Sequence, residues 1–100
     1  METTKEEMMQ FLQELQNLQL WLSNSSHEIS LYVIFSVFEN SINIDCYASL
    51  FSDIKGTSKS VYLYSSSSYG ENQTKLNYFI EYVKKLSKYG NAVIITTKSE

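Results

Sequence analysis

Between residues 8 and 22 the apolar positions recur three and four apart: Met8, Phe11, Leu15, Leu18 and Leu22, with Leu12 widening the stripe. That period places them on one face of an amphipathic helix. Thr4 and Glu7 have the spacing of a capping box, in which each side chain satisfies a backbone N–H at the helix start. Ser23-Asn24-Ser25-Ser26 supplies turn formers at the other end. The pattern predicts a helix over 4–23. It covers too few heptads for an independent coiled coil, so the stripe is expected to face a core.

The period then shortens to two. In a predicted strand over 29–39 the odd positions Ile29, Leu31, Val33, Phe35 and Val37 are apolar. In a second strand over 42–51 the even positions Ile42, Ile44, Cys46, Ala48 and Leu50 are apolar. A two-residue turn at Asn40-Ser41 would join them as an antiparallel hairpin, setting Val37 opposite Ile44, Phe35 opposite Cys46, Val33 opposite Ala48 and Leu31 opposite Leu50. That face is the expected core, with Phe35 buried in it and Cys46 an inert buried thiol. The link over 52–60 reads as an exposed loop. A short third strand over 60–65 would point Val61 and Leu63 inward and Tyr62 and Tyr64 outward.

Ser68 and Glu71 repeat the capping-box spacing ahead of a second helix, predicted over 69–89 and carrying Leu76, Phe79, Ile80, Val83 and Leu86. Lys84, Lys85 and Lys88 are expected near its negative pole, with Gly90 just past its end. The four serines before it are therefore connector and cap, with the start of the run dispensable. A phosphate-binding loop would need several glycines and a lysine directly after them. The run Ala92-Val93-Ile94-Ile95-Thr96-Thr97, apolar on both faces at its centre, predicts a final interior strand over 92–97. The expected class is α+β in the order α-β-β-β-α-β. It would be a two-layer α/β sandwich with a mixed four-stranded sheet, the last strand added by a right-handed crossover. Its length of 100 residues predicts one domain spanning 1–100.

Charge and composition narrow what such a domain does. All eight basic residues are lysines and the net charge is −3. Nucleic-acid binding relies on clustered Lys and Arg, with Arg the leading reader of bases, so nucleic acid is not an expected partner. Cys46 and His27 are each the sole residue of their type, which removes a disulfide and a zinc site built from several Cys or His. No cofactor is expected. The N-terminal stretch lacks a basic-then-apolar secretory layout and no apolar run spans a bilayer, so a cytoplasmic, membrane-free protein is expected. The sequons at Asn24 and Asn72 are then chance matches. Phe, Tyr, Met, Ile, Asn and Lys abound while Gly, Ala, Arg and Pro are scarce, a codon skew pointing to an AT-rich bacterium, phage or archaeal virus.

Three families share parts of this layout. The element order resembles the core of the PD-(D/E)XK nucleases, which implies a metal held by an Asp and a following (D/E)-x-K; here only Asp45 with Asp53-Ile54-Lys55 offers itself, and Asp53 and Lys55 fall before the third strand instead of at its end. The α-β-β-β-α portion, with Lys84-Lys85, is similar to the double-stranded RNA-binding domain, whose lysines sit at the start of the second helix. Over the first two-thirds, the order also resembles the type III secretion chaperones, small acidic dimers. No Ser–His–acid or Cys–His constellation appears. His27 beside Glu28 reads as a solvated turn residue, and no enzyme is expected.

What remains is the second face of the sheet. Tyr32, Ile34, Phe38, Tyr47, Phe51, Tyr62 and Tyr64 share it, and two helices with one apolar stripe each suffice only for the core face. Tyrosine offers a large ring with a hydroxyl that stays satisfied when wet, which suits an interface. These residues, with Trp21 as a secondary contact, are the expected partner-binding surface. The expected partner is another protein or a second copy of the chain. The expected function is a phage or mobile-element inhibitor of the anti-defence type or an immunity protein, with a homodimeric chaperone or accessory subunit and a degenerate nuclease as alternatives.

Overall fold

A computed structural model describes residues 2–24, 29–50 and 58–99, the last twelve of these by their backbone alone. Helix α1 (Lys5–Ser23) leads into strands β1 (Ile29–Phe38), β2 (Ser41–Leu50) and β3 (Lys59–Tyr64), and then helix α2 (Tyr69–Ser99). The strands form an antiparallel sheet in the order β1-β2-β3. The protein is thus a compact α+β fold with two helices and a three-stranded antiparallel sheet.

Helix α1 starts where its capping box lies. The Glu7 N–H donates to Thr4 Oγ1 at 3.1 Å, and the Thr4 N–H donates to Glu7 Oε1 at 2.8 Å. Its stripe residues Met8, Phe11, Leu15, Leu18 and Leu22 are all buried. They meet Ile42, Ile44, Cys46, Ala48 and Leu50 of β2, Leu63 of β3, and Leu76, Phe79, Val83 and Leu86 of α2 in one cluster. Each Val, Leu, Ile, Phe or Met side chain among them, removed from water, contributes about 1.5–3 kcal/mol. Phe11 also stacks on Tyr69 at the start of α2, with ring centroids 5.3 Å apart.

The hairpin faces are as the alternation predicts, but the register is not. Phe38 pairs with Ser41 across a Glu39-Asn40 turn, so Val37 meets Ile42, Phe35 meets Ile44, Val33 meets Cys46 and Leu31 meets Ala48. This is a two-residue shift from the expected pairing. It leaves every side chain on its face, because the side-chain period is two. It also sets Ile29 opposite Leu50, both buried, and so closes the far end of the core. The turn carries a cost: Glu39 has φ 56, in the left-handed region that side chains other than Asn, Asp and Gly rarely adopt.

Phe35 and Val37 depart from the expected core as well, with 39% and 63% of their surface exposed. Helix α1 crosses the sheet obliquely. It begins near Ser65 and Ser67, which accept the Thr3 N–H, and ends beside β1, where Gln19 Nε2 donates to the Leu31 carbonyl at 3.3 Å. The corner of the sheet beneath Phe35 and Val37 lies outside that diagonal.

The largest correction concerns the C-terminal part. Residues 92–97 are not a strand: α2 continues through them to Ser99. Nothing in the sequence stops it, since proline is absent and a lone Gly90 in a helix interior costs only about 1 kcal/mol. The fourth strand, the mixed sheet and the crossover are therefore not observed. Lys84 and Lys85 consequently lie inside the helix, a full three turns or more from its C-terminal end, and do not complement its negative pole.

The segment joining β3 to α2 is built from polar contacts. Ser65 extends the ladder: its N–H donates to the Ile42 carbonyl and its Oγ accepts the Ile42 N–H, both at 2.9 Å. Ser65 at the start of the run is thus structural, contrary to expectation. Ser68 Oγ accepts the Glu71 N–H at 3.2 Å and caps α2. Asn72 is fully buried. Its Nδ2 donates to Thr3 Oγ1 and to the Tyr64 carbonyl, each at 2.8 Å, and its Oδ1 accepts the Tyr64 N–H at 3.3 Å.

Two expected outcomes test this account. Ser68→Ala should lose a helix cap worth about 0.5–2 kcal/mol while Ser66→Ala, on an exposed side chain, should be near neutral; equal shifts in urea midpoint would contradict the capping role. Glu39→Asn should relieve part of the left-handed strain and raise stability by about 1 kcal/mol, seen as roughly 4–8 °C in Tm.

Candidate functional site

Alternation along three paired strands decides what the second face presents. Reading across the register, Tyr32 pairs with Tyr47 and Tyr47 with Ser60, while Ile34 pairs with Asp45 and Asp45 with Tyr62. Directly opposed residues on a sheet lie about 4.5–5.5 Å apart at Cβ, so these side chains form one continuous patch. Tyr32, Ile34, Phe38, Tyr47, Tyr62 and Tyr64 are all exposed, from 37% at Tyr64 to 71% at Phe38. Neither helix covers them. The Tyr32 and Tyr47 rings are tilted by 36° with centroids 6.3 Å apart. Lys75 Nζ reaches from α2 to within 5.9 Å of the Tyr64 ring centroid, a cation–π contact at the rim of the face.

The other expected contacts divide. Phe51 lies outside the described residues. Trp21 is exposed but belongs elsewhere: it lines a groove between α1 and α2 with Glu14, Asn17, Leu18, Ile80 and Lys84. It is therefore not an extension of the tyrosine face, because the helices occupy the side of the sheet away from it.

At the centre of the face the tyrosines frame a shallow hollow of about 200 Å³, lined by Tyr32, Ile34, Asp45, Tyr47, Ser60 and Tyr62. Asp45 is half-buried there. It is the one charged side chain that the described residues place on this face, since the neighbouring outward positions are Ser30, Ser36, Asn43, Ser49, Ser60 and the aromatic residues. The described lysines are engaged or remote. Lys59, whose neighbours in register face the core, sits 4.6 Å from the Tyr78 ring centroid, and Lys84 lies in the groove beside Trp21. The sequence placed Asp45 on this face but weighed it only as a metal ligand.

Cys46, next along β2, points the other way into the core. Burial pushes its thiol up to about 12, with the nearby Asp45 charge adding to the effect. A thiol in that state is neither nucleophile nor metal ligand at neutral pH. Among the described residues no three His, Cys, Asp or Glu side chains gather as a metal site. Asp53 and Lys55 of the nuclease comparison, and His27 and Glu28, lie outside the described residues, and the final strand that this comparison requires is replaced by helix. The observed order does match the α-β-β-β-α portion shared with the double-stranded RNA-binding domain, but the first turn of α2 carries Glu71 instead of lysines. No described helix is long and apolar enough to cross a membrane.

The site is thus an uncovered aromatic sheet face around one carboxylate, carried by a small α+β fold. Compared with protein-family models, curated proteins and solved structures, the chain matches none.

The state of Cys46 has a measurable consequence. Because the folded thiol titrates above its ordinary value of 9, the folded state holds the proton that the unfolded state releases. The stability from this group is complete below pH 9 and is lost as pH rises towards about 12, at about 1.4 kcal/mol per pH unit. Thiol labelling at pH 8 should accordingly be negligible in buffer and rapid in denaturant; fast labelling of the folded protein would show that Cys46 is accessible.

Proposed function

We propose that this chain is a small non-enzymatic binding domain that docks on a different protein through the open face of its sheet. The observation that supports this reading most directly is the patch itself: six large apolar or aromatic side chains on one face of the sheet, all exposed. Monomers rarely leave contiguous apolar surface of several hundred Å² uncovered without using it. Tyrosine rings give contact area at little entropic cost, and their hydroxyls keep the face compatible with water until the partner arrives. In this reading the helices form a supporting layer whose work is to hold the sheet flat against the partner. An inhibitor or immunity protein acting in the cytoplasm of an AT-rich bacterial, phage-infected or archaeal-virus host fits an acidic, arginine-free surface, which repels nucleic acid and favours basic protein surfaces.

The test is the double substitution Tyr47→Lys with Tyr62→Lys. Both side chains are more than 40% exposed, so the variant should stay folded by circular dichroism. In a pull-down from a lysate of the source organism it should lose the protein that the unaltered chain retains. Retention of the same protein by the folded variant would place the docking surface elsewhere, and unfolding would show that the tyrosines are core.

A further inference from the structure

The open face has a chemical asymmetry that its apolar character hides. It is a ring of tyrosines around a carboxylate, and the lysine at its rim, Lys75, is engaged with the Tyr64 ring at 5.9 Å. Asp45 is flanked directly by Ile34 on β1 and Tyr62 on β3, with Tyr47 two residues on along the same face and Tyr32 across from Tyr47. Any partner that covers the tyrosines must also cover Asp45. A carboxylate covered without a counter-charge or hydrogen-bond donors opposes association strongly, and a positive group is the complement that answers its charge.

This requirement separates the possible occupants. Two copies of the chain meeting face to face about a two-fold axis would present the same patch to each other. An Asp45 near that axis would then face its own copy, with Lys75 out at the rim over Tyr64. The like charges set against each other make that arrangement unfavourable at Asp45. The hollow is also too small for a typical drug-sized ligand, whose pockets run to about 300–1,000 Å³. It is wide enough for one guanidinium or ammonium head on its methylene stem. Aromatic rings attract such a cation through their negative faces, a stem packs along the rings, and the carboxylate accepts charge-assisted hydrogen bonds from the head.

We propose that the hollow around Asp45 is a receptor for a cationic side chain, an arginine in the first instance, projecting from a basic protein partner. Arginine fits better than lysine because its planar fork can stack on a ring while it bonds a carboxylate in bidentate fashion. The absence of arginine from this chain and its net charge of −3 make the pair complementary: the cation comes from the partner. Exposed tyrosines flanking the hollow then exclude water from the ion pair, the arrangement that makes a central anchor outweigh its surroundings. This inference rests on the reading of the open face as the docking surface and adds the chemistry of what it takes.

The experiment uses three small probes on the whole chain: N-acetyl-arginine amide, N-acetyl-lysine amide and the uncharged N-acetyl-norleucine amide. Each is titrated while NMR follows the rings of Tyr32, Tyr47 and Tyr62 and the backbone around Asp45. The arginine probe should give saturable millimolar binding centred on these residues, weakened by added salt. The lysine probe should bind more weakly and the norleucine probe not measurably. Asp45→Asn, which preserves shape and removes the charge, should lower the arginine affinity about tenfold or more. Tyr47→Leu, which keeps apolar cover but removes a ring, should weaken it as well, with the fold of both variants checked by circular dichroism. No saturable shift up to about 50 mM, in a range where a single exposed cation–π and ion-pair contact is detectable, would overturn the proposal. So would equal binding of norleucine amide, or unchanged affinity in the folded Asp45→Asn protein. If the probes fail while the Tyr47→Lys, Tyr62→Lys variant still loses its protein partner, the docking face stands and only the cation receptor falls.

Discussion

The buried amide of Asn72 holds this fold together at the point where three chain segments meet. An amide away from water must find partners for its two donor hydrogens and its oxygen, or their desolvation counts in full against the folded state. Here both donors and the oxygen are used, on Thr3 and on both backbone groups of Tyr64. Those bonds define where β3 ends, where α2 begins and where the N-terminal segment returns. Thr3 adds two backbone bonds from its N–H to Ser65 and Ser67, and its hydroxyl donates to the Ser67 carbonyl at 2.7 Å. With no buried side-chain nitrogen or oxygen among the described residues left without a partner, the junction is saturated. The directions in which α1 and α2 leave it set which part of the sheet they cover, and so which part stays open.

How far the sequence could be read depended on which physical quantity each feature needs. The stripe of α1, both N-terminal caps and the two faces of the hairpin are local or periodic, and all are in the structure. The hairpin register is invisible to a period of two, because a slip of two residues preserves every facing; only the competition between turns and the closing of the core by Ile29 and Leu50 decides it. The exposure of Phe35 and Val37 depends on how far a helix reaches across a sheet, which alternation does not encode. The fate of residues 92–97 turned on a β-branched run against a helix with one weak breaker, two local signals of similar size. Asn72 was legible in principle. It sits one turn ahead of Leu76 on the stripe that continues through Phe79, Val83 and Leu86, and a polar residue on a buried stripe asks for a partner. The tyrosine face was legible because it needs only parity; the exclusion of Trp21 from it was not, because that needs the side of the sheet on which α1 lies.

One sheet thus serves two solvents. Its inner face buries the aliphatic residues of β2 and Leu63 beneath the helices, while Phe35 and Val37 at one corner stay exposed. Its outer face carries rings that tolerate water through their hydroxyls and a carboxylate that water solvates well. The same ladder of hydrogen bonds holds both, so a change that unsettles the core also disperses the outer patch. In the other direction coupling is weak, since the outer side chains are already hydrated.

The junction at Asn72 also has a history in time. Thr3 is separated from Ser67 by 64 residues and from Asn72 by 69. A ribosome adds roughly 5–20 residues per second, so Thr3 waits on the order of several seconds for the partners that fix it. During that interval α1 presents a bare apolar stripe and the hairpin, though locally closed, lacks its cover. The strand made just before that junction, β3, is the one that completes the open face, since it supplies Tyr62 and Tyr64. A chain ending before residue 72 would therefore carry the strands that bear the tyrosines without the polar junction that orders them.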